Sequence, residues 1–99
     1  MVMTYIPKPL DTGEIRLDQE LQELIEQVSK NIHEVWAENR LADGWQYGVS
    51  YDGDRKLHPC LIPYDQLTER EKDLDRATVK QTVKTLLKLG YEIKKGGPR

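Results

Sequence analysis

Between Asp18 and Ala42, the apolar residues Leu21, Leu24, Ile25, Val28, Ile32, Val35 and Trp36 recur at steps of three and four. That spacing lays them along one side of an α-helix. No other stretch commits so many residues to one element. Asp18 can accept a hydrogen bond from a free first-turn N–H, and Glu20 suits the positive N-terminal end. Gly44, just past Ala42-Asp43, supplies a left-handed stop. A long helix with one apolar stripe needs a partner to cover it, so the remaining chain must provide one.

A second amphipathic pattern supplies that partner. Thr68-Glu69-Arg70-Glu71 has capping-box spacing and starts a short helical turn. Thr78 with Gln81 repeats the spacing ahead of Val79, Val83, Leu86 and Leu87, and Gly90 ends the run. Between the two helical regions, Trp45, Tyr47, Val49 and Tyr51 alternate as in a strand. Asp52-Gly53-Asp54 reads as a turn, and Arg55 to Leu61 as the returning antiparallel strand, kept to an edge by Pro59 and Pro63. Tyr91 to Ile93 can add a last short strand. The expected fold class is α+β, with two main amphipathic helices packed on a short antiparallel β-hairpin.

The order of these elements gives three segments. Residues 1–17, with Pro7, Pro9 and Gly13, form an extended arm whose Tyr5, Ile6, Leu10, Ile15 and Leu17 let it dock as a strap. Residues 18–93 form the domain, and residues 94–99 a flexible basic tail. The 99 residues suit one domain, and a 37% hydrophobic content is enough to pack one core.

Charge and cysteine usage narrow the function classes. With 15 basic against 17 acidic residues, the net charge of -2 leaves no excess to neutralise a phosphate backbone, which argues against a nucleic-acid polymer as partner. No apolar run is long enough for a signal peptide or a membrane span. The single cysteine, Cys60, has no internal partner, which fits a reducing compartment and makes the cytoplasm the expected location.

Several residues invite chemistry. Trp36, Arg40 and His33 share one side of the first helix, where an aromatic beside a cation can seat a planar or anionic ligand. Packing of Trp36 under the Arg40 stem is the competing structural reading. Trp45 and Tyr47 share a strand face, His58 lies on the returning strand and Arg55 stands at the hairpin tip as an anion contact. The candidate ligand-binding set is therefore Trp36, Arg40, Trp45, Tyr47, His58 and Arg55, with core packing the plainer reading for Trp45. Asn39 falls inside the apolar stripe, where it would bond the Gly44–Gly48 backbone.

Other motifs carry less. His58-Pro59-Cys60 lacks the positioned base and orienting group of a nucleophilic site, and His33, His58 and Cys60 show no zinc spacing. Asp52-Gly53-Asp54 is followed by Arg55 and Lys56, which repel a cation, so it is a turn and not a calcium loop. Lys80, Lys84 and Lys88 read as the solvated face of the second helix. No catalytic residues, metal or cofactor are expected.

The blocks Asn31-Ile32-His33-Glu34-Val35-Trp36-Ala37, Gly44-Trp45-Gln46-Tyr47-Gly48, Leu57-His58-Pro59-Cys60-Leu61 and Thr85-Leu86-Leu87-Lys88-Leu89-Gly90 share a further property. Together with Arg40, Leu67, Glu69 and Glu71, they resemble, in order, the ryanodine-receptor repeat. Tyr5-Ile6-Pro7-Lys8-Pro9 with Asp11-Thr12 looks like the leader of its stand-alone microbial versions. Departures fall in the hairpin: Val49 stands where the family usually has Pro, Tyr51 where Arg is common, and Gly53 in place of an acidic residue.

The resemblance implies helices around a short antiparallel sheet and a regulatory or sensory binding module, not an enzyme and not a channel pore. It also raises a small nucleotide-like molecule as ligand. The alternative is a protein-interaction or homodimerisation module without a small ligand, since the repeat packs in pairs in the channels.

Overall fold

The structure is a computed structural model that describes residues 4–97. The first three residues of the expected arm, and Pro98 and Arg99 of the expected tail, lie outside the described residues. Helix α1 spans Gln19–Ala42, strands β1 and β2 are Gln46–Tyr47 and Leu57–His58, a 3-10 turn covers Tyr64–Gln66, and helix α2 spans Glu69–Lys88.

Both helices start and stop where their capping residues dictate. Asp18 Oδ1 accepts the Leu21 N–H at 2.9 Å. The chain leaves α1 through Gly44 at φ 88°, a conformation that disfavours residues with a Cβ. At α2, Thr68 Oγ1 accepts the Glu71 N–H at 3.2 Å while Glu71 Oε1 accepts the Thr68 N–H at 2.8 Å, closing the capping box. Thr78 does not start a separate helix. Its hydroxyl donates back to the Leu74 carbonyl at 3.4 Å, inside one continuous α2. Gly90, at φ 97°, ends that helix.

The helices pack on each other through Ile25, Val79 and Val83, with Leu17, Val28, Leu87 and Ile93 around them. On α1 the most covered line is Ile25, Ser29 and His33. Ser29 is fully buried, and its hydroxyl donates to the Ile25 carbonyl at 2.7 Å, so it brings no unpaired polar group into the interface. A line of fourth residues drifts by about 40° per step around a 3.6-residue helix. By the C-terminal end the covered face has therefore moved off the predicted stripe toward Arg40. Ile32 and Val35 are left 41% and 50% exposed. Asn39 is exposed too, and makes none of the expected bonds to the following segment.

The sheet corrects the expected topology. β1 and β2 pair in parallel, Gln46 with Leu57 and Tyr47 with His58, not as an antiparallel hairpin. The chain reverses twice between them. One reversal lies between Gly48 and Tyr51. The second is the expected Asp52-Gly53-Asp54 turn, where Asp52 and Leu57 exchange backbone hydrogen bonds at 3.0 and 2.9 Å. Asp52 Oδ1 accepts the N–H groups of Asp54 and Arg55, each at 3.1 Å, and fixes that turn. Two reversals restore the original direction. Tyr91 to Ile93 form no strand; Ile93 packs on the core instead.

The arm docks only in its second half. Thr12 is buried and accepts from Gln81 Nε2 at 3.0 Å, Glu14 pairs with Lys88, and Leu17 reaches the core. Tyr5, Ile6 and Leu10 stay exposed, so the expected strap begins near Asp11. The described chain consequently extends 56 × 45 × 23 Å, with a radius of gyration of 17.3 Å. A compact chain of this length would have about 13 Å. Among the described residues no helix is long and apolar enough to cross a membrane.

Candidate functional site

The end of α1 and the segment that follows it build a corner of aromatic rings around one cation. His33, Trp36 and Arg40 stand three and four residues apart and so share one side of α1. The Gly44 stop folds the chain back, and the Trp45 N–H donates to the Arg40 carbonyl at 3.0 Å. That bond plants the Trp45 ring, 8% exposed, beside the helix it has just left. The Arg40 guanidinium carbon lies 4.5 Å from the Trp45 centroid and 5.6 Å from that of Trp36. Both distances suit a cation over a π face.

Strand β2 and the first chain reversal close the corner. The His58 ring meets Trp36 edge-on at 4.9 Å and Tyr51 at 5.5 Å and 90°. Tyr51 also lies 5.8 Å from Trp45. Below them His33 stacks on Trp36 at 5.5 Å, and its Nε2 sits 2.7 Å from the Ile62 carbonyl. An acceptor there requires that nitrogen to carry the proton. Tyr64, 6.1 Å from His33 and almost fully buried, donates its hydroxyl to Glu26 at 3.0 Å. Arg76 grips the same carboxylate from Nε at 2.6 Å and from Nη2 at 2.9 Å. Those Arg76 bonds hold Glu26 below the usual carboxylate range, while burial pushes the Tyr64 hydroxyl up.

His58 Nδ1 and the Cys60 thiol do not bond each other. His58 Nδ1 accepts the backbone N–H of Cys60 at 3.0 Å, not its thiol. Burial, then the nearby Arg40 charge, lowers the His58 pKa. The Cys60 thiol donates to Glu71 Oε2 at 2.9 Å. Burial first, and then that carboxylate, pushes the thiol up to about 11, so it stands as a neutral hydrogen-bond donor. Among the described residues no group of His, Cys, Asp and Glu is arranged to hold a metal ion.

Of the six residues expected at the site, Trp36, Arg40, Trp45 and His58 come together. Tyr47 and Arg55 do not. Tyr47 points to solvent, because Trp45 precedes the two-residue strand and is set by the helix end, so strand alternation does not join the two rings. Arg55 stays at the turn, where its guanidinium lies 3.8 Å from the Asp52 carboxylate. Tyr51 takes the place expected of Tyr47. It closes the alternating series in the sequence, but only the reversal after Gly48 brings it against Trp45 and His58. Tyr64 had no comparable signal; it lies on a 3-10 turn with no periodicity to read.

The corner reaches the surface through the half-buried Trp36 and the exposed Tyr51. Three open grooves, of about 710, 670 and 600 Å³, lie elsewhere, along the arm, beside the start of α1 and on the outer side of α2.

Two capped helices packed on each other, with a minimal sheet pinned to the end of the first, define a small α+β domain. Among the described residues, a dense cluster of rings is built around a cation. The model of the RyR domain family matches residues 5–95, and the chain belongs to that family.

Proposed function

We propose that this RyR domain is a non-catalytic regulatory or sensory module that recognises a small planar anionic ligand, nucleotide-like in chemistry, at the aromatic corner. The observation that carries the reading is Arg40 held against Trp36 and Trp45. A guanidinium fixed between rings is oriented in advance and offers its remaining N–H groups to an anion. The half-buried Trp36 and the exposed Tyr51 supply faces on which a base can stack. Thermal shift with adenine nucleotides and cyclic nucleotides tests this. A ligand at 100 times its Kd should stabilise the fold by about 2.7 kcal/mol. No shift across the panel at millimolar concentration would refute the reading.

A second reading, a self-associating module, is favoured by exposed apolar surface. Tyr5 is 83% and Ile6 71% exposed on the projecting arm, and Ile32 and Val35 lie open on α1. A twofold dimer would cover the same surface on both copies. Light scattering after size exclusion decides: a mass near 11.5 kDa at micromolar concentration rules the dimer out.

A further inference from the structure

The 710 Å³ groove between the docked half of the arm and the two helices lies away from the aromatic corner. Its floor is apolar, formed by Ile15, Leu17, Ile25 and Ala77. Its rim carries Arg16 from the arm and Lys80 and Lys84 from α2. Several basic side chains are neutralised by neighbours: Lys30, Arg55, Lys56, Lys72, Lys88 and Lys94 each face a carboxylate. Arg76, at the groove's far end, is held by Glu26, Glu69 and Asp73. Arg16, Lys80 and Lys84 form no ion pair among the described residues. In a chain with a net charge of -2, three unpaired cations around one apolar floor form a local positive site.

The spacing selects the class of partner. Lys80 and Lys84 are one helical turn apart, about 5–6 Å between Cβ atoms. Same-side residues of an extended peptide repeat at about 6.6 Å. Alternating carboxylates on such a strand would meet the lysines while the intervening apolar side chains faced the floor. The arm offers main-chain partners as well, since among the described residues the N–H groups of Arg16 and Leu17 donate to no backbone carbonyl. From this geometry we infer that the groove docks an extended segment of a partner protein in which acidic and apolar residues alternate. The groove is open along its length, which suits a peptide better than an enclosed small molecule.

The test uses the full chain, labelled with nitrogen-15, and the capped peptide Leu-Glu-Leu-Glu-Leu-Glu as probe. Amide shifts should move at residues 15–17 and 76–84. Lys80→Glu with Lys84→Glu should weaken binding by about tenfold or more. The charge-matched pair Lys8→Glu with Lys95→Glu, neither of which lines the groove, should leave it nearly unchanged. If the Lys80, Lys84 pair fails to give a folded spectrum, Lys80→Ala and Lys84→Ala singly are read in its place. The proposal falls if no shifts appear at millimolar peptide, if they map elsewhere, or if the Lys8, Lys95 pair weakens binding equally. It falls also if the Leu-Lys counterpart binds as well, or if inorganic phosphate moves the same amides to the same extent, which would make the groove a bare anion site.

Discussion

Arg40 lies with its guanidinium carbon 4.5 Å from the Trp45 ring centroid, while its carbonyl accepts the Trp45 N–H at 3.0 Å. One residue thus ties the helix end to the ring by a backbone bond and a side-chain contact at once. The direction in which the chain leaves α1 is set there. β1 starts from that exit, and its pairing with β2 then brings His58 to the corner.

Trp45 and Trp36 should separate in a denaturation experiment. Trp45 is buried, so Trp45→Ala should cost about 3–5 kcal/mol. Trp36 is only half-buried, and its truncation should cost less, about 1–3 kcal/mol. Arg40→Ala removes both cation contacts and stem packing, for a loss of about 1–2 kcal/mol. Urea unfolding followed by circular dichroism measures all three. Equal costs for the two tryptophans would show that the corner does not divide into a core ring and an outer ring.

The helices were legible in the sequence because caps are local. Asp18, Gly44, the Thr68–Glu71 box and Gly90 act within a few residues of themselves, and each is found in its expected role. The sheet was not legible, because its direction depends on how many times the chain turns between Tyr47 and Leu57. The Asp52 turn announces itself through Gly53, whereas the reversal between Gly48 and Tyr51 leaves no such signal. Trp36, Arg40 and Trp45 meet because helix spacing and the Gly44 stop bring them together, and β2 adds His58. Tyr47 failed because Trp45 is set by the helix end and not by strand alternation, and Arg55 because Asp52 holds it at the turn. Asn39 failed because periodicity gives the apolar stripe but not the drift of the covered face along it.

Gly48 is a sensitive point of the missed reversal. A Cβ added there would sit 2.6 Å from the Leu57 Cβ, closer than packed carbons tolerate. Gly48→Ala should therefore push β1 from β2 and cost about 1–3 kcal/mol. The expected spectroscopic sign is a shift in Trp45 fluorescence, because the strand pair positions His58 beside that ring. A variant with unchanged stability would mean that Leu57 moves aside freely.

Cys60 should resist alkylation. Its thiol is a neutral donor to Glu71 with a pKa raised to about 11, so iodoacetamide at neutral pH should label the native chain far more slowly than the unfolded one. Glu71→Gln keeps an oxygen for the Thr68 cap but removes the negative charge, and should speed labelling. The raised pKa also bears on stability. Where the unfolded thiol has ionised and the folded one has not, stability falls with rising pH, here from about 9 to about 11. Cys60→Ala should flatten that decline.

His58 should make the fold sensitive to mild acid. Its Nδ1 is an acceptor for the Cys60 N–H, so that a proton placed there breaks the bond, and a proton on the ring adds charge to a half-buried site facing Arg40. Glu71 favours the charged form, but burial and Arg40 outweigh it, and the folded pKa lies below its ordinary 6.5. The unfolded chain then binds more protons than the folded one across the interval between the two values. His58's contribution is accordingly full above about pH 6.5 and is lost as pH falls from there through the folded pKa. The carboxylates Glu26 and Glu71, held low by Arg76 and by the Cys60 thiol, lose their contributions only below about 4.5, so the two effects separate in pH. Urea midpoints measured between pH 7.5 and 5 should decline for the native chain. His58→Gln, which can still accept from the Cys60 N–H but does not titrate, should hold its midpoint across that range. A decline of the same size in both would assign the sensitivity to another group.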